Sequence, residues 1–148
     1  MSFFRQIWVV VLVFLWVGCV PFRAESPEGF APYKGRRPYR AVSADGVMYR
    51  VRYEKNKPKA ELAFWKEALK SRMIDAGYRF QAESDLEVSG HPGYLLELAA
   101  PLGTQDYTYL NAIFVHGRKL VIVEASGEVS QFQKHRASLL DAINHLEL

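Results

Sequence analysis

Cysteine is almost missing from this 148-residue chain: Cys19 is the only one. A disulfide framework within the chain is therefore excluded, as is any zinc or iron–sulfur site built from several cysteines. An excess of one charge is also lacking. Nineteen Lys and Arg stand against 16 Asp and Glu, and a net of +3 is too small to argue for nucleic-acid binding. Low-complexity tracts and internal repeats are absent too. What is present, 49% hydrophobic, 14% aromatic and 24% charged residues, is the composition of about one folded domain.

Reaction motifs are equally scarce. There is no His-Glu-x-x-His, no EF-hand spacing, and no glycine loop followed by Lys-Ser/Thr to cradle a phosphate. Ser126-Gly127 sits between an expected strand and an expected helix but lacks the flanking glycines of a nucleophile elbow, so it reads as a helix cap. His91 and His116 fall in expected turns, and His135 flanks the apolar face of the last helix. His145 follows Asp141 by four residues, an exposed helical pair worth about 0.3 kcal/mol. Asp85 and Glu87 share one face of a strand as solvent-facing acids. No catalytic residue, metal ligand or cofactor is expected, and the chain is not expected to be an enzyme.

The N-terminus is of a different kind. Arg5 and Arg23 bracket 17 uncharged residues, among them an unbroken apolar run of 11 from Ile7 to Val17. A cationic start, an apolar segment of about 7–15 residues and small residues after it form the layout of an export signal. A spanning helix needs about 20 apolar residues, more than this stretch supplies. The run ends in Leu15-Trp16-Val17-Gly18-Cys19, which resembles a bacterial lipoprotein signal. That resemblance implies cleavage before Cys19 and a diacylglycerol on its thiol, the most nucleophilic side chain near neutral pH. Trp16 departs from the Leu usual in that family. Val20 is not the Asp that retains many enteric lipoproteins on the inner membrane, so the resemblance favours the outer membrane. Two alternatives remain at this point: an uncleaved transmembrane anchor, and a soluble secreted protein.

Four of the seven prolines (Pro21, Pro27, Pro32 and Pro38) precede residue 39, together with Gly29 and Gly35. An extended tether is expected there. The organisation is thus a signal peptide at 1–18, a tether at 19–38 and one domain at 39–148. Residues 34–59 carry nine basic and two acidic groups, a net of +7; residues 60–148 carry eight basic and twelve acidic, a net of −4. Arg36, Arg37, Arg40, Arg50 and Arg52 are candidates for contact with anionic head groups, acidic glycans or an envelope protein. The alternative is a solvated tether and edge strand.

Within the domain, Asp45-Gly46 is a hairpin turn between strands at 39–44 and 47–54. Val47, Tyr49, Val51 and Tyr53 alternate with Met48, Arg50 and Arg52, which puts a basic face toward solvent. Asn56-Lys57-Pro58 reads as a helix start. Leu62, Trp65, Leu69, Met73 and Ala76 then form one helical stripe ended by Gly77, with Phe64 on the far side, where a loop or the tether is expected to cover it. Strand signals follow over 78–82 and 86–88, then over 94–100, 107–115 and 119–125. Ser89-Gly90-His91-Pro92-Gly93 and Ser126-Gly127 act as breakers, His116-Gly117 marks a hairpin, and Leu120 to Val123 reads as a strand covered on both faces. The last helix shows Phe132, Leu139, Ile143 and Leu146 on one face.

The order β-β-α-β-β-β-β-α predicts an α+β fold, an antiparallel sheet with two main helices on its faces. Ser89-Gly90-His91-Pro92-Gly93-Tyr94, the hairpin after it and the closing Ala142-Ile143-Asn144-His145-Leu146-Glu147-Leu148 resemble the C-terminal half of the PsbP-like α/β/α sandwich. Among bacterial members the chain is similar to the DcrB-type envelope lipoproteins. The resemblance implies a non-enzymatic accessory or binding role at a membrane, and it carries no site residue across. Two functions stay open: a lipid-anchored envelope protein acting by protein or surface contact, and a small enzyme or ligand-binding protein with a pocket between sheet and helix.

Overall fold

Two hairpins built on glycine set the register of the sheet. Gly46 (φ +89°) turns β2 (Tyr39–Ser43) into β3 (Met48–Lys55), and Gly117 (φ +58°) turns β6 (Gln105–His116) into β7 (Lys119–Glu128). The computed structural model describes residues 22–35, 38–102 and 104–148. The expected signal peptide, Cys19, Arg36 and Arg37 lie outside the described residues. With β1 (Phe30–Pro32), β4 (Arg79–Val88) and β5 (His91–Leu102), the strands form one antiparallel sheet in the order β1-β2-β3-β7-β6-β5-β4. Helix α1 (Leu62–Asp75) lies on one face over β5 and β6; α2 (Val129–Asn144) lies on the other over β6 and β7. The α+β sandwich expected from the sequence is the fold observed.

Because successive side chains point to opposite faces, each central strand feeds two cores. Toward α2 go Tyr49, Val51, Leu110, Phe114, Val121 and Val123, closed by Phe132, Leu139 and Ile143. Toward α1 go Tyr94, Leu96, Leu98, Ile113, Leu120 and Ile122, met by Leu62, Trp65, Leu69 and Met73. The two sides are unequal. Four residues of α2 are buried, whereas none of α1 is. Residues 120–123 are covered from both sides, as their unbroken apolar run requires.

Several local expectations give way. The tether is not wholly extended: Phe22 and Phe30 are buried in the α2 core, β1 pairs with β2, and Arg23 bridges Glu147. Its aromatic residues anchor what its prolines and glycines alone would leave loose. His91-Pro92-Gly93 belongs to β5, because the two-residue turn Ser89-Gly90, with φ of 52° and 73°, lets the strand resume at once. Ser126-Gly127 stays within β7. A Cβ on Gly127 would come within 2.8 Å of Val47 Cγ2, so this glycine permits close packing and does not break the strand. The cap of α2 is Glu128, whose side chain accepts from the N–H groups of Ser130 and Gln131. Phe64 is 49% exposed among the described residues, where its ring meets Trp65 edge-on and no described loop covers it.

Helix α1 begins at Leu62 and not at residues 56–58. Asn56, buried, holds the preceding segment in a loop: its Oδ1 accepts from Ala60 N–H (3.1 Å) and from Trp65 Nε1 (2.8 Å), while its Nδ2 donates to Ala60 O (3.0 Å). Asn56→Ala strands the Trp65 indole N–H and frees the loop, and is expected to cost about 2 kcal/mol. Urea unfolding followed by tryptophan fluorescence measures it; an unchanged midpoint would show that the loop gains nothing from Asn56.

Candidate functional site

The unequal cover of the two faces creates the site. Since α1 lies over β5, β6 and the Leu120–Ile122 part of β7, the part of its face formed by β2, β3 and the Glu124–Ser126 end of β7 is left beside the helix as an open floor. At the flank of α1 a recess of about 300 Å³ opens between helix and sheet. Trp65, Leu69 and Met73 of α1 and Ile113, Leu120 and Ile122 of the sheet supply its apolar walls. Arg52, Glu54, Arg72, Tyr109, Asn111 and Glu124 supply the polar groups. Arg40 and Arg50 lie on a shallower depression that also reaches Tyr109 and Glu124.

Glu124 organises this surface. Its position on β7 lies opposite Arg50 of β3 and Asn111 of β6 in the strand register. Oε2 accepts from Arg50 Nε at 2.7 Å and Arg52 Nε at 3.0 Å; Oε1 accepts from Tyr109 Oη at 2.9 Å. Arg52 also bonds Glu54. Burial pushes the Glu124 carboxyl up, but the bonds from Arg52 and Tyr109 and the nearby guanidinium charges outweigh it, holding it below the usual carboxylate range. Burial acts on Arg52 in the opposite sense to Glu124 and Glu54, whose hold raises it above its ordinary value. The Tyr109 phenol is pushed up by burial and by the Glu124 charge.

Of the five arginines singled out from sequence, three are described. Arg40 is exposed and lies over the Tyr33 ring; Arg50 and Arg52 turn onto the same face. The expectation of a plain basic face toward solvent is corrected for these last two. Both are paired with Glu124, a carboxylate more than 70 positions away that no local pattern reveals, and Glu54 supplies the second negative charge. Arg72, Tyr109 and Asn111 escaped the sequence reading, although the alternation of 109, 111 and 113 with apolar 110, 112 and 114 places Tyr109 and Asn111 together on one strand face.

The histidines go elsewhere. His91 and His116 face each other at the ends of β5 and β6 with rings stacked 4.8 Å apart. His135 bonds Asp45 at 2.8 Å, and His145 lies 3.5 Å from Asp141 with both exposed. Among the described residues no group of three or more His, Cys, Asp or Glu has the arrangement to hold a metal ion, and no helix is long and apolar enough to cross a membrane. Asp85 pairs with Lys66 of α1.

Solved structures place this architecture. CyanoP, the cyanobacterial PsbP of Synechocystis sp. PCC 6803, superposes with a TM-score of 0.60 at 12% identity, covering 86% of each chain. The fold is PsbP-like. LpqN of Mycobacterium tuberculosis, a protein involved in cell envelope biogenesis, shares the PsbP-like architecture with a TM-score of 0.70 at 8% identity over 84% of this chain and 81% of its own. PA94 of Pseudomonas aeruginosa, of unknown function, gives 0.62 at 10% identity over 78% and 94%. No protein-family profile and no curated protein matches the sequence. At these identities the likeness concerns the PsbP-like fold itself and leaves the chemistry of its faces to each chain.

Proposed function

We propose that this protein is a lipid-anchored accessory protein of the cell envelope that binds a partner or ligand on its α1 face and carries out no catalysis. The observation that carries the binding reading is the fixed bond network of the recess, in which Glu124 accepts from Arg50, Arg52 and Tyr109. Glu124 is held as a carboxylate, Arg52 as a guanidinium and Tyr109 as a phenol. General acid–base work needs a group that titrates near the operating pH, and among the described residues no His, Cys, Ser or Lys lines the recess. Fixed donors and acceptors beside apolar walls suit recognition. The envelope setting is supported by the export-type N-terminus and by likeness in fold to LpqN, a protein involved in cell envelope biogenesis.

The anchor rests on Gly18-Cys19. Two or more acyl chains hold a protein stably on a bilayer. Labelled palmitate is expected to enter the full-length protein in cells and not its Cys19→Ala variant; equal labelling of the two, or none, sinks the anchor. The binding face is tested separately by photo-crosslinking in intact cells. A crosslinker at position 40 is expected to capture a partner that one at position 141, on the α2 side, does not. Identical products from both positions would argue against the α1 face.

A further inference from the structure

Resting on the reading of the chain as lipid-anchored at Cys19, we propose that one end of the sandwich, where Phe22 meets the turns around Lys57 and Arg118, docks on the anionic head groups of the bilayer with the strands upright on it. The first argument is where the chain joins the fold. Phe22 is buried in the α2 core, and Arg23 exchanges backbone hydrogen bonds with Glu147 in both directions, at 2.7 and 3.1 Å. The link between anchor and body is therefore not the whole of 19–38. Only Val20 and Pro21 stand between Cys19 and Phe22, and three residue steps of extended chain reach about 10 Å. That is close to the Debye length of about 8 Å at physiological ionic strength. Charges at this end of the body feel the leaflet, and those at the other end do not.

The second argument is the charge gathered around that exit. Strand β3 ends, β7 begins and β6 ends at this end of the sheet, with Lys55 directly opposite Lys119. Asn56 N–H donates to Arg118 O at 2.9 Å, which brings the loop holding Lys57 and Lys59 to the same place. Tyr53 joins the cluster to the exit: it shares a shallow depression with Phe22, and the Lys119 ammonium lies 4.8 Å from its ring centre. Lys55, Lys57, Lys59 and Arg118 are exposed, and none has a carboxylate partner among the described residues. The acids at this end are Glu54, Glu61, Glu87 and Glu147; Glu54 is taken by Arg52, and Glu147 lies 3.9 Å from Arg23. Like charges directly across a ladder oppose pairing, so Lys55 opposite Lys119 costs stability that an anionic surface offsets. At the opposite end the turns 44–47 and 76–78 carry one charged residue, Asp45. Each Lys or Arg near an anionic leaflet strengthens attachment about fivefold. Arg50 and Arg52, which Glu124 engages on the α1 face, are not part of this cluster. With the strands upright, α1 and its recess open sideways along the membrane, free to meet a partner.

The test uses the full-length protein carried from cell membranes into lipid nanodiscs. A spin label is attached through Glu61→Cys, at the exposed start of α1 beside the cluster, or through Gln105→Cys, at the far end of β6. Head groups bearing chelated nickel relax a label that touches them. On discs of phosphatidylcholine with phosphatidylglycerol, the label at 61 is expected to be relaxed. The label at 105, a strand's length of about 35 Å away, is expected to be untouched. Lys55→Gln/Lys57→Gln/Arg118→Gln is expected to weaken the attachment of this end about a hundredfold and to lose the contact at 61. Its urea midpoint is expected not to fall, because exposed substitutions of this kind leave the fold intact. Equal relaxation at 61 and 105, or none at either, in protein that stays on the discs overturns the orientation and leaves the anchor standing. Contact at 61 that is unchanged on phosphatidylcholine alone, or that survives the triple substitution, overturns the proposal as well. A chain that does not stay with the discs overturns the anchor and the orientation together.

Discussion

Glu124→Leu is expected to lower the unfolding free energy by about 3 kcal/mol at neutral pH. The carboxylate is mostly buried, and removing it leaves Arg50, Arg52 and the Tyr109 hydroxyl without their shared acceptor. Breaking a buried pair from one side costs about 3–5 kcal/mol. Arg50 is 42% exposed and can turn to water, which places the effect at the lower end. The same group sets a pH dependence. Its carboxyl titrates lower in the fold than its ordinary value of 4.5, so its contribution is whole above about pH 4.5 and drains away as acid carries the pH through the depressed value. Urea unfolding between pH 7 and pH 3 measures both effects. Wild type is expected to lose this increment in acid, whereas Glu124→Gln, which cannot titrate, is expected to lack that part of the slope. Parallel curves for the two proteins would mean that the cluster contributes nothing to folding.

Gly93→Val is expected to be comparably severe, at about 3 kcal/mol, for a reason of shape alone. Gly93 on β5 pairs directly with Phe114 on β6, and the Phe114 ring occupies the space a side chain would need. A Cβ at position 93 would lie 2.4 Å from Phe114 Cε1 and 2.6 Å from its Cδ1. Phe114 is fully buried in the α2 core, so the ring has nowhere to retreat. Overpacking of this kind costs about 1–3 kcal/mol, and Val exceeds the minimal case of Ala. Phe114→Val removes the colliding ring atoms. The double variant Gly93→Val/Phe114→Val is therefore expected to be more stable than the sum of the single losses allows, by about 1 kcal/mol or more. Additive losses in urea would show that the ring does not fill the space above Gly93.

These two positions illustrate how far sequence reading reaches. Gly93 looks like the end of a breaker because Gly and Pro cluster around it, yet it lies inside a strand under an aromatic ring. Glycine reports that a side chain is excluded, and the sequence alone does not say whether a turn or a neighbour excludes it. Ser126-Gly127 was misread for the same reason, with Val47 as the neighbour. Asn56 moved the start of α1 by four or more residues through side-chain bonds that propensity does not register. By contrast, the stripe Leu62, Trp65, Leu69 and Met73 does pack on the sheet, and the doubly covered run at 120–123 does lie between two helices.

The recess was less legible than the fold. Arg50 and Arg52 were visible as a basic pair, but their partner was not. The contact depends on β3 lying beside β7, and that adjacency is decided by a connection of more than 60 residues. Arg72 was hidden on the exposed side of an amphipathic stripe, and Asn111 looked like one polar residue in a buried strand.

By itself the sequence determined the α+β class, the order of the main elements, the two hairpins at Gly46 and Gly117, and which face of each central strand is apolar. All of these follow from spacings of two to four residues and from local turn chemistry. Only the tertiary structure decided that α1 covers half of its face and leaves a recess, that Glu124 pairs with two arginines, and that Phe22 and Phe30 fold back onto the α2 core. Those outcomes depend on register and packing between segments far apart in the chain, where the free energy of a contact is set by what lies across from it and not by its neighbours in sequence.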